Sequence, residues 1–173
     1  MNKFYALLAS IVLLFTSCSM GEMHMITNDT QIANNSFEEI IDAIQSKNEN
    51  AFKGLFSKKA ITEDENFDES VLALIDFFEG KIISYNDWGG PQSSQGKNDD
   101  GTGRNWKRLR STYDVETSEQ KYRFAIEEFT VDTADPDNVG IRSMYIIKAE
   151  DSDLEFAYWG DGKWTPGITI EKK

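Results

Sequence analysis

The sequence predicts an α+β domain in which helices come first and pack on one face of a curved antiparallel sheet. Three observations carry this. Between residues 36 and 78 the apolar side chains recur at helical spacing. After Gly80 the period drops to two, and β-branched and aromatic residues take over. Turn signals at Ser118-Glu119, Asp135-Pro136-Asp137-Asn138 and Asp161-Gly162 then cut the second half into strands that are neighbours in sequence.

The elements follow in order. Ser36-Phe37-Glu38-Glu39 has the form of a capping box, and Phe37, Ile40, Ile41 and Ile44 fall on one helical face behind it. Gln45 to Asn50 is a polar break. Ala51, Phe52, Leu55 and Phe56 form a second, short amphipathic helix. Asp68 caps a third, with Phe67 and Leu72 as its hydrophobic staple and Val71, Leu72, Leu74, Ile75 and Phe78 as its buried positions. Gly80 ends it. Lys81 to Trp88 reads as a strand and Gly89 to Asn105 as a long loop rich in Gly, Ser, Asn and Asp. Trp106 to Thr117 and Gln120 to Asp132 read as two long strands, Val139 to Glu150 as a third and Leu154 to Trp159 as a further one. The hairpin signal at Asp161-Gly162 precedes an extended piece through Ile170. No internal repeat is evident.

Ahead of the domain, Lys3 is followed by an apolar run from Phe4 to Phe15 and then by Thr16-Ser17-Cys18. The run is about 12 residues, against roughly 20 for a permanent bilayer span. It resembles a bacterial lipoprotein signal, in which the cysteine is lipidated and begins the mature protein; Phe15 stands where such signals usually carry Leu. This resemblance divides the chain into a signal peptide, residues 1–17, a lipid-anchored tether, residues 18–35, and a single domain, residues 36–173. It places the protein at the outer face of a cell membrane, held through Cys18. Two or more acyl chains give stable anchoring.

Composition narrows the chemistry. The formal net charge is −12, and loss of Lys3 with the signal makes it more negative. Such a polyanion repels phosphate backbones, which argues against nucleic-acid binding. Cys18 is the single cysteine, so the fold rests on packing without disulfides. His24, the single histidine, falls in the tether, which argues against Ser-His-Asp, Cys-His and multi-histidine metal chemistry.

The helices-then-strands order is similar to that of the NTF2-like, or cystatin-like, superfamily. That resemblance implies a strongly curved antiparallel sheet with helices closing a conical pocket. Three segments sharpen it: Asn50-Ala51-Phe52-Lys53-Gly54-Leu55-Phe56-Ser57, Met144-Tyr145-Ile146-Ile147-Lys148-Ala149-Glu150, and Tyr158-Trp159-Gly160-Asp161-Gly162-Lys163-Trp164-Thr165-Pro166-Gly167-Ile168. They resemble an uncharacterised family of Gram-positive lipoproteins. That family brings no defined catalytic residues, so no site is carried over.

Candidate sites come from the residues themselves. Arg104-Asn105-Trp106-Lys107-Arg108-Leu109-Arg110 concentrates positive charge in an acidic chain. On a strand, Arg104, Trp106, Arg108 and Arg110 share one face, and Leu109, Tyr113 and Val115 the other. An aromatic beside arginines suits an anionic group. Trp88, Trp106, Arg108 and Tyr113 are therefore the expected ligand contacts. The competing reading is a solvated sheet face whose arginines pair with Glu127, Glu128 or Asp132. Resemblance to NTF2-like enzymes also points to a carboxylate base in the cone, for which Asp87, Asp114, Glu127 and Glu128 are candidates. Asp114 and Glu127 are the two named for that role. The acidic stretches Asp132 to Asn138 and Asp151-Ser152-Asp153 lack EF-hand spacing and read as turns; no metal or cofactor is expected. Gly101-Thr102-Gly103 precedes no helix, so a phosphate-cradling loop is unsupported. The aromatic end, Tyr158, Trp159 and Trp164, reads as core completion or a partner surface.

The favoured function is a non-catalytic, lipid-anchored module that binds a small ligand or a protein partner. The alternatives are a pocket enzyme of the isomerase or dehydratase type, and an immunity or envelope-stress lipoprotein that occupies a partner's surface.

Overall fold

The structure is a computed structural model that describes residues 20–97, 105–151 and 164–170, with side chains from Asp29 onward. Among these residues four helices precede six strands: α1 Met20–Gln45, α2 Glu49–Gly54, α3 Lys58–Glu63, α4 Phe67–Phe77, then β1 Ile82–Asp87, β2 Gln92–Lys97, β3 Asn105–Thr117, β4 Lys121–Asp132, β5 Gly140–Lys148 and β6 Gly167–Ile170. The class is α+β, with the helices packed against one mixed sheet.

The first helix starts earlier than expected. It runs unbroken through Ser36, which therefore sits mid-helix and caps nothing. Its buried stripe extends upstream of Phe37 to Ala33 and Asp29, one and two turns back. The upstream turns dock largely through polar contacts, Asp29 to Lys107 and Asn34 to Tyr113, so no apolar stripe announces them. Residues 29–35, expected in the tether, are thus part of the packed helix.

After α1, Lys47 takes a left-handed conformation (φ 52°) and the chain turns sharply. Asn48 caps α2 by accepting from the Ala51 amide at 3.1 Å, and Ser57 caps α3 by accepting from the Ala60 amide at 3.1 Å. Helix α3 was not anticipated; at six residues it is too short to show a period. In α4 the cap position falls on Asn66 rather than Asp68, and Leu72 is 49% exposed, so it forms no staple. Phe67, Val71, Leu74 and Ile75 are buried as the helical period requires. The Tyr122 hydroxyl donates to the Phe77 carbonyl at 3.0 Å and accepts from the Glu79 amide at 2.8 Å, which ties the end of α4 to the sheet.

Strand β3, 13 residues long, is the spine of the sheet. One side pairs with β4; the other pairs with β1 over its second half and β2 over its first. Between β1 and β2 the chain turns at Gly89 and Gly90, both at φ +90°. A Cβ on Gly90 would stand 3.0 Å from Thr30 Oγ1 of α1, so glycine serves both the turn and the approach to the helix. β2 lies within the expected loop. Its sequence, Gln-Ser-Ser-Gln-Gly-Lys, contains no β-branched or aromatic residue, and backbone pairing to β3 makes it a strand.

The sheet order is β1-β3-β4-β5-β6, with β2 beside β3. It is open, not strongly curled, and mixed rather than wholly antiparallel, because β6 runs parallel to β5. Parallel neighbours need a crossover, so β6 does not return from β5 as a hairpin. The strand expected at Leu154 to Trp159 and the turn at Asp161-Gly162 lie outside the described residues.

The main core lies between the helices and one sheet face. Phe37 stacks on Tyr113 (centroids 3.8 Å apart, planes within 2°), and Phe124 meets Phe37 edge-on at 5.6 Å. Ile40, Phe52, Leu74, Tyr122, Met144 and Ile146 are all inaccessible around them. Phe56 bridges Ile141, and the Ser57 amide donates to the Ile141 carbonyl at 2.9 Å. This seam requires Gly140 at φ +119°, where a Cβ would stand 2.9 Å from the Ser57 nitrogen. Gly140→Ala is expected to lower stability by about 1–3 kcal/mol through strain and backbone collision, read as a shift of the urea midpoint at unchanged slope.

Candidate functional site

Strand alternation sends Arg108, Arg110 and Asp114 of β3 and Arg123 and Glu127 of β4 to the face opposite the helices. There the cross-strand partners Arg110 and Glu127 meet, with Arg110 Nε donating to Glu127 Oε2 at 2.7 Å. Arg108 Nη1 approaches the same oxygen at 3.4 Å. The second cross-strand pair is bidentate: Arg123 Nε donates to Asp114 Oδ1 at 2.6 Å and Nη2 to Oδ2 at 3.2 Å. Trp88 donates from Nε1 to Asp114 Oδ2 at 3.1 Å, and its ring lies 4.4 Å from the Arg123 guanidinium. Trp164 covers Arg110 at 4.5 Å, and Trp106 lies 6.0 Å from Arg108. Ala125, Tyr145 and Ile147 form a small second core on this face, against Trp164.

The four expected ligand contacts therefore do not converge. Trp88 sits beside Asp114 and Arg123, and Trp106 beside Arg108. Tyr113 is on the other face, 1% exposed and stacked on Phe37, with its hydroxyl donating to Asn34 Oδ1 at 3.0 Å. Tyr113 is thus a core residue whose phenol burial pushes upward in pKa. The two acids named as bases, Asp114 and Glu127, are both engaged by arginines. The expected competing pairing of the arginines with Glu127 is present for Arg108 and Arg110; Arg104 lies outside the described residues.

The carboxylate in an unusual setting is Glu128, on the helix-facing side. It is 8% exposed, and burial pushes its pKa up to about 7; a hydrogen bond from Ser36 opposes the rise and the charge of Glu39 adds to it. The signal was present in the alternation of β4. Tyr122, Phe124 and Ile126 are core residues, and Glu128 is the next position on that apolar face.

A cavity of about 470 Å³ opens at the far end of β2 and β3, lined by Gln95, Gly96, Lys97, Asn105, Trp106, Lys107 and Val131. Gly96 shapes it: a Cβ there would stand 2.7 Å from Trp106 Nε1, so the indole closes directly on the β2 backbone. Lys107 reaches Asp29 of α1 in a largely buried ion pair. The cavity combines an aromatic wall and a largely apolar lining with a few carboxamide and lysine groups, the mix typical of small-molecule sites.

Among the described residues no group of three or more His, Cys, Asp or Glu is gathered to hold a metal. The acids of the Asp132 to Asn138 turn are engaged locally. Asp132 accepts from Asn138 Nδ2 at 3.0 Å and from the Asp135 amide at 3.2 Å; Asp135 and Asp137 pair with Lys59 and Lys58 at 2.7 Å and 3.1 Å. Gly101-Thr102-Gly103, Tyr158 and Trp159 lie outside the described residues. No helix among those described is long and apolar enough to cross a membrane.

Fold and site together define an α+β domain with helices over one sheet face, and aromatic–arginine pairs and an open cavity on the rest. The chain belongs to the DUF5104 family, a domain of unknown function, whose family model matches residues 39–149, from the last two turns of α1 to just past β5. No curated protein matches the chain.

Proposed function

We propose that the protein is a non-catalytic, ligand-binding module of NTF2-like descent, anchored by lipid on Cys18 at the outer face of a Gram-positive membrane. The observation that carries the binding role is the cavity beside Trp106, with its carboxamide and lysine lining. The space beneath the helices supports the same reading, since Phe37, Tyr113 and Phe124 fill it. The lipid anchor rests on the Lys3 to Cys18 segment, and the strong negative charge leaves membrane attachment to the lipid.

Two experiments test this. A ligand-observed NMR screen of neutral and charged fragments should give hits that compete for one site and vanish in Trp106→Ala; hits indifferent to that substitution would remove the cavity from consideration. Mass spectrometry of membrane fractions should find the mature N-terminus at acylated Cys18, and Cys18→Ala should move the protein to the soluble fraction.

A second reading, a pocket enzyme, is favoured by one observation: Glu128 has the near-neutral pKa that a general base needs. On that reading Glu128 replaces Asp114 and Glu127 in the catalytic role. A substrate would have to reach it beneath α1, so fragments contacting Glu128 rather than Trp106 in the same screen would select it.

A further inference from the structure

Helix α1 is held by two different kinds of contact along its length. From Phe37 onward it is seated by apolar side chains: Phe37, Ile40, Ile41 and Ile44 are all buried. Between Asp29 and Ser36, Ala33 is the single buried apolar residue, and polar groups hold the helix instead. Asp29 pairs with Lys107, Asn34 accepts from the Tyr113 hydroxyl at 3.0 Å, and Ser36 bonds Glu128. Thr30 lies against the turn at Gly90. Five of these eight residues, Asp29, Thr30, Asn34, Asn35 and Ser36, are weak helix formers. Polar contacts exchange for water at small net cost, so a stretch seated this way opens more readily than one seated by apolar burial.

Glu128 makes that opening depend on pH. It is 8% exposed, and the groups around it offer no countercharge. From α1 it faces Ser36 and Glu39; from β3, the Tyr113 phenol, which burial keeps neutral, and its cross-strand neighbour Leu109; from β5, Ile141. The basic residues at the same end of the sheet are committed elsewhere: Lys107 to Asp29, Arg108 and Arg110 to Glu127 on the other face, and Arg142 of β5 to Glu63. Protonated, the carboxyl sits under the helix without a charge. Ionised, it is a buried anion with a second anion, Glu39, beside it. Lifting the upstream turns of α1 admits water and relieves that cost.

We infer that residues 29–36 form a strap over this end of the sheet, held down while the Glu128 carboxyl is protonated and released as it ionises. Burial places the transition near neutrality, with the Glu128 pKa at about 7 against an ordinary 4.5. The docked strap holds the proton more tightly than the lifted one, so docking weakens as pH rises from 4.5 to about 7. The effect reaches the cavity: Lys107 lines it and is also the footing of Asp29, so release of the strap frees a group of the cavity wall. The strap itself goes beyond the ligand-binding reading and does not depend on it.

The test is amide hydrogen exchange of the full chain at pH 6 and pH 8, with rates corrected for the intrinsic effect of pH. Residues 29–36 should exchange through an opening of their own, with less protection than residues 40–44. From pH 6 to pH 8 their protection should fall about tenfold, the ratio set by a Glu128 pKa of about 7 docked and 4.5 lifted. Glu128→Gln should abolish that fall and exceed the parent in protection at both pH values. Asp29→Asn, which loosens the Lys107 footing, should lower protection at both pH values and keep the fall. Residues 29–36 and 40–44 exchanging in step at both pH values would show that α1 opens only as a whole, and would overturn the strap. An undiminished fall in the Glu128→Gln protein would overturn Glu128 as its sensor.

Discussion

Glu127→Ala is expected to destabilise the protein by about 3 kcal/mol, among the largest losses for a residue outside the main core. The carboxylate is 4% exposed and holds Arg108 and Arg110, whose side chains are 26% and 28% exposed. Removing it strands two partly buried guanidiniums near each other, and their hydration offsets only part of that loss. Glu127→Gln keeps an acceptor and should fall between. Urea unfolding of the three proteins gives the ordering, and a Glu127→Ala protein as stable as the parent would mean that the pairs are incidental.

Glu128→Gln is expected to act in the opposite direction. The native carboxyl titrates near pH 7, against an ordinary value of 4.5 for the unfolded chain. Between those values the native state binds more protons, so its stability falls as pH rises from about 4.5 to about 7 and levels off above. The fall attributable to this group is roughly 3 kcal/mol, at about 1.4 kcal/mol per unit of pKa. Glutamine resembles the protonated acid and can still bond Ser36. The variant should match the parent near pH 4 and exceed it by up to roughly 3 kcal/mol at pH 8. Stability curves that run parallel across this range would show that Glu128 is no more strained when ionised than an exposed acid.

Much of the fold was legible because its residues repeat at the period of their element. Phe37, Ile40 and Ile44 marked α1, and the alternation of Leu109, Tyr113 and Val115 already set Tyr113 on the face opposite Trp106 and Arg108. What was missed has identifiable causes. The upstream turns of α1 dock through Asp29 and Asn34, polar residues whose partners lie more than 70 positions away. β2 owes its conformation to its neighbour, not to its side chains. The parallel direction of β6 is a property of the connection and leaves no trace in Gly-Ile-Thr-Ile. In the site, Arg110–Glu127 was foreseeable as a competing pair. Asp114–Arg123 was not, because register decides which acid faces which base. Glu128 carried a readable signal, an acid on an apolar face, obscured by the 30 acidic residues of the chain.

β2 also bears on how the protein behaves in a crowd. Among the described residues it pairs on one side only, so it presents a row of open backbone groups. Such edges are where sheets of separate molecules fuse. Here the edge is six residues long, made of Gln, Ser, Gly and Lys, and ends at Lys97. A second chain adding to it would gain ladder bonds but bury almost no apolar surface. The weak strand chemistry that hid β2 in the sequence thus also discourages self-association.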